Sequence, residues 1–379
     1  MHDRPRPCVA MVGAGQLARM THRAAIDMGV ELRVLAGSRD DPAVRAGAPA
    51  VIGGAGDLRA LRALAHGADV LTFDHEHAPP ELLDRLEADG ITLAPSAAAK
   101  RLAQDKHHAR RRLGALGFPV PPFALATTVA AVTAFAAEHG WPVVAKAPRG
   151  GYDGRGVAIL GDERAAAALL AESPGGLLLE PRLTLHRELA VLTARSASGE
   201  RTAYPVAETV QREAMCREVL VPAPVDPELA ARARELALAI TDAAGVVGVL
   251  AVELFVSGDR LLVNELALRP HNAGHFTIEG AETSQFEQHL RCVLGWPLGA
   301  TALTAPAVAM VNVVGPANGS DPRARLPRAL HVPGAHIHIY DKRAAPGRKL
   351  GHVTARSTTV PDARDTALRA AEILEGGRT

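Results

Sequence analysis

Residues 146–160 read KAPRGGYDGRGVAIL, and this stretch decides what kind of molecule the chain is. The lysine closes an apolar run, WPVVAK, and four glycines, Gly150, Gly151, Gly154 and Gly156, then fall within seven residues around Tyr152, Asp153 and Arg155. A second apolar run, GVAIL, follows. The pattern predicts a strand, a pliable loop carrying an aromatic, an acid and a base, and a second strand. A strand-end lysine beside a glycine-rich loop can bring an ammonium and backbone N–H groups around a polyphosphate. It is not a Walker loop, because Lys146 precedes the glycines and no Gly-Lys-Ser/Thr occurs. Taken alone, Lys146 could equally be a strand-end lysine that snorkels to water.

Downstream, VLAVELFVSGDRLLVNEL (249–266) reads as two strands around a Ser-Gly-Asp turn. Glu253 and Glu265 interrupt apolar strands, where a carboxylate is costly unless it is paired or binds a metal. The turn brings the two together, and hard oxygen ligands of this kind suit Mg²⁺ (or Mn²⁺) bridging nucleotide phosphates; buried salt bridges are the alternative. Glu180, ending GLLLE, and Glu188, opening the next strand, could receive ribose hydroxyls and an adenine edge with the backbone of Pro181, Arg182 and Leu183. RPHNAGH (269–275) places an arginine and two histidines in a loop. Zinc held by His271 and His275 is one reading. An oxyanion gripped by Arg269, with His271 as proton carrier, is the other. RKLGH (348–352) adds a basic cluster on a glycine turn.

Upstream, the first 95 residues alternate strand-like and helix-like segments: CVAMVGAG, QLARMTHRAAIDMG, ELRVLAG, AVIGG, DLRALRALAHG, DVLTFD, PPELLDRLEADG and ITLAPS. That beat predicts parallel βαβ units. Gly13-Ala-Gly15-Gln-Leu-Ala18 matches the dinucleotide-binding turn, but ELRVLAG ends in Leu35-Ala36-Gly37 without the ribose-binding acid. The turn is therefore read as a phosphate site or a tight packing turn, which counts against a nicotinamide oxidoreductase. SAAAKRLAQ and DKHHARRRLGALG predict helices, FPVPPF a linker, DPELAARARELALAITDAAG a long Asp-capped helix, and DARDTALRAAEILE a final one. The fold class expected is α/β followed by α+β.

Over 379 residues the formal net charge is +1 and aromatic residues make up 3%, which gives no field or stacking surface for nucleic acid. Three scattered cysteines without a CxxC argue against a disulfide framework or a zinc site. The absence of an apolar run of about 18 residues, or of a signal-peptide core in MHDRPRP, predicts a cytoplasmic protein with no membrane partner.

The order Gln104-Asp105-Lys106, Lys146, GGYDGRG, Glu253, Asn264-Glu265, RPHNAGH, SQFEQHLR, RKLGH resembles the ATP-grasp 5-(carboxyamino)imidazole ribonucleotide synthetases of purine biosynthesis, over nearly the whole chain. The resemblance implies a preATP-grasp N-domain (1–97), an ATP-grasp domain (98–300) and a small C-terminal domain (301–379). It implies ATP contacts from Lys106, Lys146, the loop of Gly151, Tyr152, Asp153, Gly154, Arg155, Gly156 and Val157, then Glu180, Pro181, Arg182, Leu183, Glu188, Gln211, Asn264 and Glu265. Glu253 and Glu265 would hold Mg²⁺. Gln16, Leu17, Glu76, Tyr152, Arg155, Arg269, His271, Asn272, Lys342, Arg348 and Lys349 would contact aminoimidazole ribonucleotide or bicarbonate. Arg269, His271, Asp153 and Lys349 would carry the chemistry, in a homodimer. Gln211 stands where the family usually has histidine, Lys106 where arginine is common, and Leu268 and Ala273 replace proline and serine. A formate-dependent glycinamide ribonucleotide transformylase shares the N-domain and metal pair, but GGYDGRG and RPHNAGH favour the carboxylating family. A catalytically silent ATP-grasp scaffold is disfavoured because the lysine, the metal acids and the basic loop are all present.

Overall fold

A computed structural model of the chain describes residues 6–151 and 156–377. The N-terminal beat folds as expected into a four-stranded parallel sheet. Cys8–Val12 lies at its interior, flanked by Glu31–Ala36 and Val70–Phe73, with Ala50–Ile52 at the edge. Cys8–Val12 and Val70–Phe73 are buried on both faces, as crossover helices require, while the edge strand Ala50–Ile52 is largely exposed. ITLAPS does not become a strand: Leu93 makes a single parallel bridge to Leu71. Pro95 has no N–H to continue the ladder, and Ser96 instead caps the helix Ala97–Gln104 by accepting from the Ala99 N–H.

The two strands around the opening loop, Val143–Lys146 and Val157–Leu160, pair antiparallel in a second four-stranded sheet, with Leu177–Pro181 on the other side of the first. A third, mixed-length antiparallel sheet is the frame of the molecule. It runs from Arg260–Ala267 through Gly248–Ser257, Arg187–Arg195, Ala207–Arg212 and Met215–Val221 to Ala307–Val314, Lys349–Ser357 and Ala335–Ile339. The hairpins anticipated at Ser-Gly turns are both present. The C-terminal strands thus join edge to edge with the central ones, and the helix Val360–Glu375 packs on them through Ala367, Ala370, Ala371 and Leu374. The long helix Pro227–Ala243, capped by Asp226, covers the other core with Ala233, Ala237 and Ile240.

Candidate active site

One cavity of about 1370 Å³ runs between the three sheets. Its floor is made by the hairpin of Gly248–Ser257 and Arg260–Ala267, where Glu253 lies opposite Glu265. The register shifts beside Glu253, so that Asn264 is an extra residue in its strand. Alternation would send neighbouring side chains to opposite faces; the bulge lets Asn264 and Glu265 both line the cavity with Glu253. Asn264 Nδ2 donates to Glu253 Oε2 at 3.3 Å, and Lys106 Nζ donates to Glu265 Oε1 at 2.6 Å. Burial, then the charges of Glu265 and Glu188, push the Glu253 carboxyl up to about 7. Glu265 therefore has a cation of its own, and Glu253 bears the conflict.

Two opposed carboxylates, one of them reluctant to ionise, suit a hard divalent cation. Among the described residues no three His, Cys, Asp or Glu side chains form a metal cluster. The protein thus offers two carboxylates, and an ion here would take its other ligands from phosphate oxygens and water.

Lys146, almost fully buried, ends its strand in a closed polar ring. Its Nζ lies 2.7 Å from Glu180 Oε2 and donates to Asn264 Oδ1 at 3.1 Å. Arg110, 2% exposed, donates from Nε to Glu180 Oε1 and from Nη2 to the Asn264 carbonyl, both at 2.7 Å. Burial pulls Lys146 below the usual lysine value while Glu180 supports its charge. Although burial opposes it, the charges of Lys146 and Arg110 hold Glu180 below the usual carboxylate range. Glu180 is thus the counter-ion of two cations. Glu188, raised by burial, lies across the strands from Phe255 and lines the cavity with Pro181, Arg182, Leu183, Gln211, Gly151 and Val157. Tyr152, Asp153, Gly154 and Arg155 lie outside the described residues; Gly156 adopts a φ of 79°, and Gly150, Gly151 and Val157 line the cavity.

At the other end, Arg269 donates from Nε to both carboxylate oxygens of Glu76 at 2.9 Å and from Nη1 to the Pro270 carbonyl at 3.1 Å. The pairing joins the loop after the N-domain strand Val70–Phe73 to the loop after Arg260–Ala267. Although partial burial opposes it, the charges of Arg269 and Lys100 hold the Glu76 carboxyl down at about 2. His271 Nε2 is 3.6 Å from Glu253 Oε1, so the Arg269 end of the cavity and the acidic pair are contiguous. The RPHNAGH loop is latched by Gln285, which is fully buried. Gln285 Oε1 accepts from the His271 N–H and its Nε2 donates to the His271 carbonyl, each at 2.8 Å. A Cβ on Gly274 would come within 2.4 Å of Gln285 Oε1, which explains a glycine there. Asn272 exchanges amide hydrogen bonds with Asn312 at 2.9 and 2.8 Å. Buried His275 meets Gln285 through Nδ1 at 3.1 Å.

Lys349 lines the cavity with Gln16, Leu17 and Asn272. Lys342 stands instead over the Tyr340 ring at 5.6 Å, and Arg348 donates to the Arg343 carbonyl at 3.2 Å. In the Gly13–Gly15 turn, Asp74 takes up the anion position: its carboxylate accepts from the Gly15 N–H at 3.0 Å, and a Cβ on Gly13 would collide with it. The tight-packing reading of that turn accounts for Gly13. Sequence reasoning missed Arg110, Lys100 and Asp74, which sit in ordinary helix and strand-end contexts. It noticed SQFEQHLR but gave Gln285 no task.

Three family models match the chain: a ribonucleotide synthetase preATP-grasp domain over residues 7–104, an ATP-grasp domain over 111–286, and a phosphoribosylaminoimidazole carboxylase C-terminal domain over 308–366. N5-carboxyaminoimidazole ribonucleotide synthase of Mycobacterium tuberculosis is 50% identical over 98% of this chain and 89% of its own length. The crystal structure of the synthetase from Thermus thermophilus is 37% identical, with TM-score 0.87 and 98% and 99% of the two chains covered. That of the Aspergillus clavatus synthase, in complex with ADP and 5-aminoimidazole ribonucleotide, is 30% identical, with TM-score 0.89 over 98% and 99%. With that identity over nearly the whole chain, and the three domain models matching in order along it, the chain belongs to the N5-carboxyaminoimidazole ribonucleotide synthase family of ATP-grasp ligases.

Proposed function

We infer that the chain uses ATP and bicarbonate to carboxylate the exocyclic amine of 5-aminoimidazole ribonucleotide, giving N5-carboxyaminoimidazole ribonucleotide, ADP and phosphate in purine biosynthesis. The observation that carries the reading is the continuity of one cavity from Lys146 and the Glu253–Glu265 pair to His271, Arg269 and Glu76. An oxygen of bicarbonate attacks the γ-phosphorus of ATP, the bond to ADP breaks, and carboxyphosphate forms. The amine nitrogen then attacks its carboxyl carbon, phosphate leaves, and the amine gives up a proton.

Each group has a task in this scheme. Lys146 and Lys106 supply positive charge to the phosphates, and phosphoryl transfer rests mainly on such positioning and electrostatics. Glu253 and Glu265 would hold Mg²⁺, which when bound offsets phosphate charge. Glu180, Pro181, Arg182, Leu183, Glu188 and Gln211 frame the nucleoside end. Arg269 receives the bicarbonate or carboxyphosphate anion, and His271 and Lys349 flank it. Gln16, Leu17, Glu76 and Asn272 form the ribonucleotide side, with Lys342 and Arg348 at its approach. The glycine loop, with Tyr152, Asp153 and Arg155, covers the phosphates and keeps water from carboxyphosphate. The working form is taken to be a cytoplasmic homodimer; three cysteines present as thiols suit a reducing compartment. Among the described residues, no helix is long and apolar enough to cross a membrane.

The test is ADP release from ATP with Mg²⁺ and bicarbonate, with and without aminoimidazole ribonucleotide. Strong dependence on the ribonucleotide supports the reading; its absence contradicts it.

A further inference from the structure

Lys100 is a lysine with no exposure to solvent, in the middle of the helix Ala97–Gln104. Its Nζ donates to the His75 carbonyl at 2.9 Å and stands 4.7 Å from the centre of the Phe73 ring. It lies 3.9 Å from Oε1 of Glu76, the carboxylate that binds Arg269. Asp74, also buried, completes the group. Two cations, Lys100 and Arg269, thus face two carboxylates, Glu76 and Asp74, in one enclosed spot. Burying an ammonium is costly, and an apolar residue of the same length would fill the space with no such cost. The charge must therefore serve the site. Without Lys100, Arg269 would face two carboxylates alone, and its attraction for an external anion would be spent on them. With it, Glu76 keeps a counter-ion while Arg269 turns to the substrate.

We propose that Lys100 is a positioning residue for the carboxylation: it holds Glu76 as a correctly placed carboxylate so that Arg269 is fixed, and still cationic toward an oxyanion, at the end of the cavity. This rests on the function inferred above. Two features give it a signature beyond packing. It acts through Glu76, so its effect should vanish when Glu76 is neutral. It also acts by charge. Burial lowers Lys100 to about 8, with Glu76 opposing the shift. The other groups facing it are Glu76, Asp74, His75, His289 and Arg269. Glu76 is held down at about 2 although burial opposes it, Asp74 is raised by burial, the histidines are lowered by burial, and Arg269 is raised by Glu76 although burial opposes it. Lys100 is the cation of this group that burial brings to about 8.

The experiment uses the full chain and begins with wild type. If wild type releases no ADP in response to the ribonucleotide, the inferred function fails and Lys100 is not at issue. With wild type active, Lys100→Met should lower kcat/KM for aminoimidazole ribonucleotide and bicarbonate roughly 10- to 100-fold, the scale of losing a partner that orients an active-site group. KM for ATP should stay within about two-fold, because the Lys146 end is untouched. Wild-type kcat/KM should fall as pH rises through about 8, and that limb should be missing in the variant. Combined with Glu76→Gln, Lys100→Met should add no further loss. A folded Lys100→Met variant with wild-type kinetics, equal losses for all three substrates, or additive losses with Glu76→Gln would overturn the proposal. Should the variant not fold, a wild-type kcat/KM that is flat from pH 7 to 9.5, with circular dichroism unchanged, would overturn it as well.

Discussion

The ammonium of Lys146 sits 2.7 Å from Oε2 of Glu180, and Arg110 holds the other oxygen of the same carboxylate. Lys146 is thus set in place before any nucleotide arrives, by a ring that also fixes Asn264. Lys146→Ala removes a charge from the phosphate end and leaves Glu180 with one partner. We expect kcat/KM for ATP to fall by roughly 30- to 1000-fold, the effect of losing a charged hydrogen bond worth ~2–4 kcal/mol. Steady-state kinetics equal to wild type would remove Lys146 from the phosphate site.

Glu253 gives a pH prediction with a definite sign. Its folded-state carboxyl is raised by burial and by Glu265 to about 7, above the unfolded value of 4.5. Its contribution to stability is therefore present below about pH 4.5 and lost as pH rises through about 7. At pH 8, without nucleotide or metal, Glu253→Gln should melt roughly 2–5 °C above wild type, and the lead should vanish near pH 4.5. The variant should also lose most Mg²⁺-dependent ADP release. Identical melting curves across this range would mean that the two carboxylates are not in conflict. Glu265→Gln is the less clean probe, since it also deprives Lys106 of its partner.

Gln285 binds both backbone groups of His271. Gln285→Leu keeps the volume but leaves a buried N–H and C=O unpaired, a cost of about 1–3 kcal/mol. We expect a lower melting temperature and a fall in kcat of roughly ten-fold or more, with KM for ATP little changed. Full activity in this variant would show that the loop holds Arg269 and His271 without the latch.

Acid should unfold the protein through its buried histidines. His289 accepts from the Val249 N–H at Nδ1 and meets Thr72 Oγ1 at 2.8 Å through Nε2, so it is neutral with its proton on Nε2. Burial lowers it to about 3, and His275 and His352 are also lowered well below their usual value, first by burial. The stability each contributes is complete above about pH 6.5 and is lost as pH falls below it. Chemical denaturation of His289→Gln between pH 6.5 and 5 should show a slope shallower than wild type by up to ~1.4 kcal/mol per pH unit. An unchanged slope would mean that His289 takes up no proton on unfolding.

Much of this site was legible because its residues break local rules. Glu253 and Glu265 stand in apolar strands, and the turn between them fixes their pairing. Lys146 precedes a glycine loop that no helix or strand needs. The N-terminal sheet followed from strands and helices in alternation, since parallel pairing demands crossovers. What was hidden depends on long-range contact. Lys100 and Arg110 look like the exposed side of ordinary helices, and only the docking of Ala97–Gln104 against the loop of Glu76 buries Lys100. Asn264 reads as an alternating strand residue until the bulge turns it toward Glu253. The Gly13–Gly15 turn looked fit for a phosphate, yet its N–H group is already taken by Asp74, 59 residues away from Gly15.

The most direct measurement couples the two ends of the cavity. Initial rates of ADP release are followed with ATP, Mg²⁺ and bicarbonate while aminoimidazole ribonucleotide is varied, in wild type and in Arg269→Ala. Wild type should turn over ATP slowly without the ribonucleotide and much faster with it, producing N5-carboxyaminoimidazole ribonucleotide in step with ADP. Arg269→Ala should lose most of that stimulation, most severely at limiting bicarbonate, while still binding ATP. ADP release that ignores the ribonucleotide in wild type, or an Arg269→Ala enzyme fully active at limiting bicarbonate, would contradict the account.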